Sequence, residues 1–363
     1  MLLKPNPKAN SKPEPNTSMK KTIATLIAAT LAAAPLSHAQ ADGDYTLGWS
    51  NYIGWCPVKY LTDTGILEKH AKKNSIKIAV KEFGYVASID AFKAQDIDVV
   101  PVTTMDALTL ISQGGIDTSF FIIGDYSNGN DKWLAKGAKS IADLKGSTVY
   151  GEEFTVSHYL FYRGITLAGL KESDYKFAHR AEKGIMSGFT SDDAKVKSTA
   201  TWNPYALGLL QQPGVESVFD SSKIPGEILD GFVIRTDLLK ADPRLAKAIS
   251  GAWFETLAIL KGGGKAAEDL IATVAQAAAV TGPEAKAQLE TTFFYYTPET
   301  MAAALKSKEH KQATTLVRDF CFGQALLGED AKDAGYIGIQ FADGEILGSK
   351  DNVKLRFDLS SAE

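Results

Sequence analysis

From residue 45 onward, apolar segments with the periodicity of strands alternate with segments that have the periodicity of helices. Strands and helices in alternation are usually joined by crossovers that leave neighbouring strands parallel. The chain is therefore predicted to have an α/β fold, with mostly parallel sheets flanked by helices. The first series consists of strand 45–47, helix 58–71, strand 76–80, helix 86–93, strand 97–102, helix 103–111 and strand 120–123.

A second series lies further along the chain. It consists of helix 140–144, strand 148–150, helix 156–168, strand 175–178, helix 185–190, strand 198–202, helix 205–211 and strand 217–219. Residues 226–235 are then predicted to return as a strand. From Asp237 to the C-terminus the chain is predicted to be mainly helical, with breaks at Pro243, at 262–264 and at Pro283.

Two series joined by two chain crossings predict two lobes. The expected boundaries are 42–125 plus 228–363 for the first lobe and 126–227 for the second. In open α/β sheets, ligands bind in the crevice beyond the carboxyl ends of the strands. A binding site is therefore expected in the loops that follow the predicted strands.

Residues 19–39 have the three parts of a secretory signal peptide. Met19 is followed by two lysines, then an apolar run over 22–36, then a small-residue cleavage site that ends at Ala39. The apolar run is too short to span a bilayer comfortably. We expect residues 1–39, including a leader over 1–18, to be absent from the mature protein, which is then periplasmic.

Removal of residues 1–39 makes the chain more acidic. It takes away five of the 39 basic residues and one of the 43 acidic residues, leaving 34 and 42 and a net charge of −8. No block of lysine and arginine occurs, so nucleic acid is excluded as a partner. No second apolar run approaches membrane-spanning length, so we expect no membrane insertion after cleavage.

The chain has two cysteines, Cys56 and Cys321. This number excludes a small disulfide-stabilised scaffold. An oxidising compartment permits one bridge, and two buried free thiols are equally compatible with the sequence. The four histidines beyond the signal peptide show no metal-ligand spacing, and nothing in the sequence indicates a metal or another cofactor.

Aromatic and polar side chains are concentrated in the loops after the predicted strands. The stretch 47–57, LGWSNYIGWCP, holds three aromatic rings and has no charged residue before Lys59. Side chains of this kind are typical of a small-molecule pocket. The candidate ligand-binding residues are Trp49, Asn51, Tyr52, Trp55, Glu82, Thr103, Thr104, Asp106, Asp125, Glu152, Glu153, Trp202 and Asp220.

Several of these residues have an alternative structural role. Thr103 and Asp106 have the spacing of a helix capping box. Glu152 and Glu153 precede a helix and could favour its positive end. Asp125, with Asp131, flanks a Ser-Asn-Gly-Asn segment in which side chains often stabilise a turn.

Acidic residues outnumber basic ones in these loops, where the basic residues are Lys132, Lys223 and His158. A nitrate or sulfonate site needs cationic side chains or open helix N-termini. The composition instead favours a cation or a neutral ligand rich in N–H groups. Carboxylates accept paired N–H bonds from a planar guanidinium, which we rank first. Urea, ranked second, also needs a donor such as Asn51 or Thr104.

Several stretches resemble a known family, the periplasmic substrate-binding proteins of ABC importers, in the branch that handles nitrate, sulfonates and taurine. The chain is most similar to the group encoded beside urea carboxylase, described as binding urea or guanidine. The matching stretches are GWSNYIGW over 48–55, GYVASIDAF over 84–92, Asp98, TTMDAL over 103–108, DYSNGND over 125–131, IADLKG over 141–146, GEE over 151–153 to Tyr159, WNP over 202–204 and DSSKIP over 220–225.

The resemblance implies a two-lobed type II periplasmic binding protein with two hinge crossings. It implies a monomer that captures a small molecule, such as guanidine or urea, and delivers it to an ABC permease. The sequence has no Gly-x-Ser-x-Gly elbow, no phosphate-binding loop and no His-Glu-x-x-His motif, so we expect no enzyme activity. A different solute (nitrate, a sulfonate such as taurine, or an amine), or an enzyme on the same fold, is the alternative.

Overall fold

A computed structural model describes residues 43–191 and 197–361. The predicted leader and signal peptide, residues 1–39, lie outside the described residues. The strands are β1 (Asp44–Ser50), β2 (Lys77–Phe83), β3 (Val99–Thr103), β4 (Thr118–Ser127), β5 (Asp131–Lys136), β6 (Thr148–Gly151), β7 (Lys176–His179), β8 (Lys197–Trp202), β9 (Val215–Asp220), β10 (Leu229–Arg235), β11 (Thr292–Phe294), β12 (Gly338–Gln340), β13 (Ile346–Leu347) and β14 (Val353–Phe357).

Helices alternate with these strands through most of the chain. They are α1 (Pro57–Asp63), α2 (Ile66–Lys73), α3 (Tyr85–Lys93), α4 (Thr104–Asp106), α5 (Val156–Leu167), α6 (Glu182–Ser191), α7 (Tyr205–Leu210), α8 (Thr236–Ala241), α9 (Arg244–Gly262), α10 (Gly264–Ala278), α11 (Gly282–Glu290), α12 (Pro298–Leu305) and α13 (Lys308–Gly323). The π-helical turn 107–111 continues α4. Among the described residues, no helix has both the length and the apolar character needed to cross a bilayer.

The strands form two sheets. The larger sheet has the order β13-β12-β14-β4-β10-β3-β1-β2, and β11 also pairs with β4. The smaller sheet has the order β7-β6-β8-β5-β9. The larger sheet thus uses strands from 44–127 and from 229–357, whereas the smaller sheet uses strands from the segment between them.

Both sheets mix parallel and antiparallel pairs, which differs from the predicted mostly parallel sheets. In the larger sheet β1 runs parallel to β2 and β3, but β10 runs antiparallel to both β3 and β4. In the smaller sheet β5 runs antiparallel to β8 and β9. β5 and β10 are the strands that directly follow the two crossings, where the chain enters a sheet without a helical crossover.

The predicted α/β alternation is confirmed, but three segments differ from the sequence prediction. The helix predicted over 58–71 is divided into α1 and α2 at Gly65, whose φ of +76° lies in the left-handed region. The strand β5 was not predicted at all. The C-terminal region, predicted to be mainly helical, also contains the short strands β11 to β14. Of these, β11 and β14 pair with the distant strand β4, and β12 pairs with its near neighbours β13 and β14.

Two chain crossings connect the sheets, at 127–131 and at 220–229. The crossings contact each other through the hydroxyls of Ser127 and Ser221, 2.7 Å apart. Glu227, in the second crossing, accepts two hydrogen bonds from the Arg163 guanidinium, at 2.7 and 2.8 Å, and one from the Tyr159 hydroxyl at 2.5 Å. This largely buried ion pair fixes α5 of the smaller sheet to the second crossing.

Cys56 and Cys321 are both buried and carry free thiols. Burial raises the pKa of both thiols well above the ordinary value. Of the two possibilities that the sequence left open, the structure therefore shows unpaired thiols.

Candidate functional site

A small cavity lies between the two sheets. The larger sheet contributes residues that follow or end β1, β2 and β3, together with residues at the start of β10; the smaller sheet contributes residues from β5, α5 and β8. The cavity volume is about 20 Å³, which is the space of one or two water molecules. Its lining residues are Ser50, Tyr52, Trp55, Tyr85, Thr103, Asp131, Thr155, Val156, Trp202, Ile228 and Asp230.

Two carboxylates face each other across neighbouring strands at this cavity. Asp230 of β10 lies directly opposite Asp125 of β4, and the register shifts between Asp230 and Gly231. Both side chains are buried. Like charges directly opposite each other in a sheet are destabilising, and bulges often occur where a side chain is aimed at a functional site. The pair therefore indicates a functional role.

Tyr52 connects the loop after β1 to this pair. Its hydroxyl donates to Asp125 Oδ1 at 3.3 Å. Gly54 permits the close approach, because a Cβ at this position would lie 2.5 Å from the Tyr52 ring and 3.0 Å from Asp125 Oδ2. The loop sequence thus brings an aromatic hydroxyl against a buried carboxylate.

A second tyrosine and carboxylate have the same arrangement. The Tyr85 hydroxyl donates to Asp106 Oδ2 at 2.5 Å and accepts from the backbone N–H of Thr103 at 3.3 Å. The Thr103 hydroxyl accepts from the Asp106 N–H at 3.0 Å, so Thr103 is an N-cap. The capping role and a place on the cavity are therefore compatible for Thr103.

The smaller sheet adds another carboxylate. Asp131 begins β5, is buried, and lies opposite Trp202 of β8. Within 43–191 and 197–361, Asp106, Asp125, Asp131 and Asp230 form no ion pair, and no Lys, Arg or His lines the cavity. We call these four residues the aspartate cluster.

Burial dominates the electrostatics of the aspartate cluster. It raises the pKa of Asp106 to about 7 and that of Asp131 to about 6. Burial, together with the negative charges of neighbouring cluster members, also raises the pKa values of Asp125 and Asp230 well above the ordinary value. Hydrogen bonds act in the opposite direction, from Tyr85 on the pKa of Asp106 and from Tyr52 on those of Asp125 and Asp230. A cation placed among these groups would restore their ionised forms.

A row of aromatic rings crosses the site from one sheet to the other. Tyr52 and Trp55 have ring centroids 5.0 Å apart, Trp55 and Tyr85 5.6 Å, and Tyr85 and Trp202 6.0 Å. Aromatic faces beside desolvated carboxylates suit a planar cation, because the rings attract it and the carboxylates bind its N–H groups.

Four polar atoms that line or back the cavity are buried without a hydrogen-bond partner among residues 43–191 and 197–361. They are Asp106 Oδ1, Asp125 Oδ2, the hydroxyl oxygen of Ser50 and the indole nitrogen Nε1 of Trp55. Buried polar groups normally have partners, and an exception in a pocket indicates a place for a ligand or water. Two carboxylate acceptors, one indole donor and one hydroxyl that can donate or accept are thus available.

The structure brings together part of the predicted site. Tyr52, Trp55, Thr103 and Trp202 line the cavity, and Asp106 and Asp125 lie directly behind it, bonded to its tyrosines. Glu152 is buried at the N-terminal side of α5, and its charge contributes to the raised pKa of Asp106.

The other predicted residues lie elsewhere. Trp49 is in the hydrophobic core, Glu82 is exposed on β2, and Glu153 is partly exposed, with its N–H 3.4 Å from His179 Nδ1. Asn51 is partly buried, with its side-chain oxygen 3.5 Å from the Cys56 sulfur. Thr104 lines a separate small cavity, and Asp220 caps the turn 221–223 by accepting from the Ser222 N–H at 2.9 Å.

Five polar residues that line the cavity were not among the predicted ligand-binding residues: Ser50, Tyr85, Asp131, Thr155 and Asp230. Asp131 was interpreted as a turn residue, but it begins a strand and its carboxylate reaches the cavity. Asp230 carries a usable signal, because an aspartate within the apolar strand LDGFVIR is rarely buried without a reason.

Comparison with known proteins gives one short sequence match and many solved structures of similar fold. No family model matches the sequence. The chain is 31% identical over 86 residues to a protein of Escherichia coli K12 named as an aliphatic sulfonates-binding protein. That match covers 24% of this chain and 26% of the relative, so the chain spans about a quarter of this relative.

Solved structures match over much longer ranges at low identity. The alkanesulfonate-binding protein from Xanthomonas axonopodis pv. citri, bound to MOPS, has a TM-score of 0.66 at 16% identity, covering 80% of this chain and 96% of that one. The periplasmic nitrate-binding protein of Synechocystis PCC 6803 has a TM-score of 0.54 at 11% identity, covering 84% and 95%. The chain therefore has the periplasmic-binding-protein fold, an α/β fold with sheets flanked by helices.

Proposed function

We propose that this protein is a periplasmic solute-binding component of an ABC importer and that its solute is guanidinium. Support for the general role comes from the fold shared with transport-associated binding proteins and from the predicted signal peptide. In this proposal the lobes are 42–125 plus 228–363 and 126–227, and they close over the solute by a hinge at the two crossings. The closed monomer then delivers the solute to a permease.

One observation carries the choice of solute: the cavity is lined by buried carboxylates, with no basic side chain among its described residues. An anion such as a sulfonate or nitrate would be repelled by Asp131, whose pKa of about 6 leaves it mostly ionised at neutral pH, and would find no cationic partner among the lining residues. Guanidinium supplies N–H groups in one plane, which match carboxylate oxygens in pairs. Its charge also offsets the repulsion within the aspartate cluster.

The aromatic rings add to this recognition. Trp55 and Trp202 line the cavity from opposite sheets. Each ring face contributes about 0.5 to 2 kcal/mol to binding of a desolvated cation. A micromolar site needs about 8 kcal/mol in total, which a few carboxylate contacts and two rings can supply. The small cavity volume favours the unsubstituted ion over larger guanidine derivatives.

Urea is the second candidate, and the unpartnered indole N–H of Trp55 favours it. Urea has a carbonyl oxygen that can accept this hydrogen bond, while its two amino groups bind carboxylates. It carries no charge, so it would leave the aspartate cluster uncompensated. We therefore rank it below guanidinium.

The test is calorimetric titration of the chain from residue 40 with guanidinium chloride, methylguanidinium, urea, nitrate and taurine. Guanidinium is expected to bind most tightly, methylguanidinium more weakly, and nitrate and taurine not at all. Binding of nitrate or taurine without a response to guanidinium or urea would overturn the proposed solute. Turnover of any of these compounds, with ammonia release as the measure for guanidinium and urea, would overturn the binding-protein role.

A further inference from the structure

The side-chain amide of Asn130 lies next to the aspartate cluster and is completely buried. Its nitrogen donates to the Tyr52 hydroxyl at 3.3 Å and to the Thr292 hydroxyl at 2.6 Å. Its oxygen accepts from the Thr291 hydroxyl at 2.6 Å and from the Asn203 amide nitrogen at 3.0 Å. The hydrogen-bonding capacity of this amide is therefore fully used.

These partners belong to different parts of the fold. Thr291 and Thr292 lie at the start of β11 in the larger sheet, and Asn203 follows β8 in the smaller sheet. Asn130 itself is in the first crossing, immediately before β5. One amide thus connects both sheets and the crossing to a residue that lines the cavity.

The bond to Tyr52 determines what this tyrosine can do. A tyrosine hydroxyl has one proton to donate. Because Asn130 donates to the Tyr52 oxygen, the Tyr52 proton points to a carboxylate of the aspartate cluster. Asp125 Oδ1 lies 3.3 Å away, and a hydrogen bond from Tyr52 also lowers the pKa of Asp230. Tyr52 is then unable to donate to a solute, and the site offers the solute mainly acceptors.

We propose that Asn130 is a positioning residue for solute selection: it holds the Tyr52 hydroxyl as a donor to Asp125 and thereby reserves the cavity for solutes that bring N–H donors. The proposal rests on the proposed cation-binding function and deepens it. Asn130 does not line the cavity, so it acts through Tyr52 rather than through contact with the solute.

A double-mutant cycle tests this coupling, with Asn130→Ala, Tyr52→Phe and the double variant titrated with guanidinium chloride. Each single change is expected to weaken binding about tenfold, which is the order expected for a lost hydrogen bond to a charged group. The double variant is expected to bind no more weakly than Tyr52→Phe alone. Effects that multiply would overturn the proposal.

Thr291→Val is the matched control, because it removes a hydrogen bond to the same amide without touching Tyr52. It is expected to lower the unfolding temperature and to leave guanidinium affinity within about twofold. Loss of the hydrogen bond to Asp125 should also move the pH midpoint of binding upward in Asn130→Ala, but not in Thr291→Val. Equal loss of affinity in both variants would overturn the proposal.

The same cycle in the ligand-free protein separates this proposal from the choice of solute. Unfolding temperatures of the two single variants and the double variant are expected to be non-additive, whether or not guanidinium binds. If Asn130→Ala does not fold, Asn130→Ser takes its place in both cycles. Non-additive unfolding without guanidinium binding would refute only the solute, whereas additive unfolding would refute the role of Asn130.

Discussion

Guanidinium binding should depend strongly on pH, because the carboxylates that accept its N–H groups must be ionised. The pKa of Asp106 is about 7 and that of Asp131 is about 6. At about pH 5, roughly a hundredth of Asp106 and a tenth of Asp131 are ionised, and at about pH 8 nearly all of both. Guanidinium stays charged over this range, as the arginine side chain does.

The expected size of the effect follows from these fractions. If only Asp106 must ionise, affinity increases about 90-fold between about pH 5 and about pH 8. If Asp106 and Asp131 must both ionise, the increase is about 1000-fold. Burial also raises the pKa values of Asp125 and Asp230, so the need to ionise them changes affinity in the same direction.

The stability of the ligand-free protein should respond in the opposite direction. The folded-state pKa of Asp106 lies above the ordinary value of 3.8, so the folded protein holds a proton that the unfolded chain releases. Stability from this group is present below the unfolded pKa and is lost as pH rises from about 4 to about 7. His158 and His310, whose pKa values are lowered to about 4 by burial, change stability with pH in the opposite direction. The pH dependence of stability is therefore compared between wild type and Asp106→Asn, so that the histidine contribution cancels.

The assay is isothermal calorimetry across the pH range, in pairs of buffers with different ionisation enthalpies. The difference between buffers gives the number of protons released per guanidinium bound. Urea serves as the neutral ligand control, and Asp90→Asn, at an exposed carboxylate of α3, serves as the control variant. Affinity that does not change with pH, or that increases toward low pH, would refute the reasoning.

Three further changes give distinct results. Asp230→Asn should weaken guanidinium binding about tenfold or more. It should also raise the unfolding free energy by about 1 kcal/mol, because Asp230 must take up a proton to be buried opposite Asp125 and asparagine need not. Calorimetry and thermal unfolding check both, and unchanged affinity contradicts the site. Trp202→Ala should cost about 1 kcal/mol of binding without altering the pH dependence; equal affinity by calorimetry would exclude the ring as a contact. Glu227→Gln leaves the positive charge of the largely buried Arg163 without a partner carboxylate, so the unfolding free energy should fall by about 3 kcal/mol in thermal unfolding. A decrease below about 0.5 kcal/mol would show that this pair contributes no more than an exposed salt bridge.

Local sequence patterns were sufficient for the parts of the site that lie at the ends of predicted strands. Tyr52, Trp55, Thr103 and Trp202 follow or end β1, β3 and β8, and all four line the cavity. Glu82 also follows a predicted strand, 76–80, but the residue is exposed. Alternation along a strand shows that one face is buried, but it does not show which face meets the second sheet.

The sequence by itself determined the α/β alternation and the acidic, aromatic character of the strand-end loops, because periodicity and composition are local properties. Only the tertiary structure decided which carboxylates meet. Asp230 lies opposite Asp125 because β10 returns antiparallel beside β4, and Asp131 joins them because β5 starts at the crossing. Pairing between strands that are distant in the chain depends on how the whole core packs, and no local pattern encodes it.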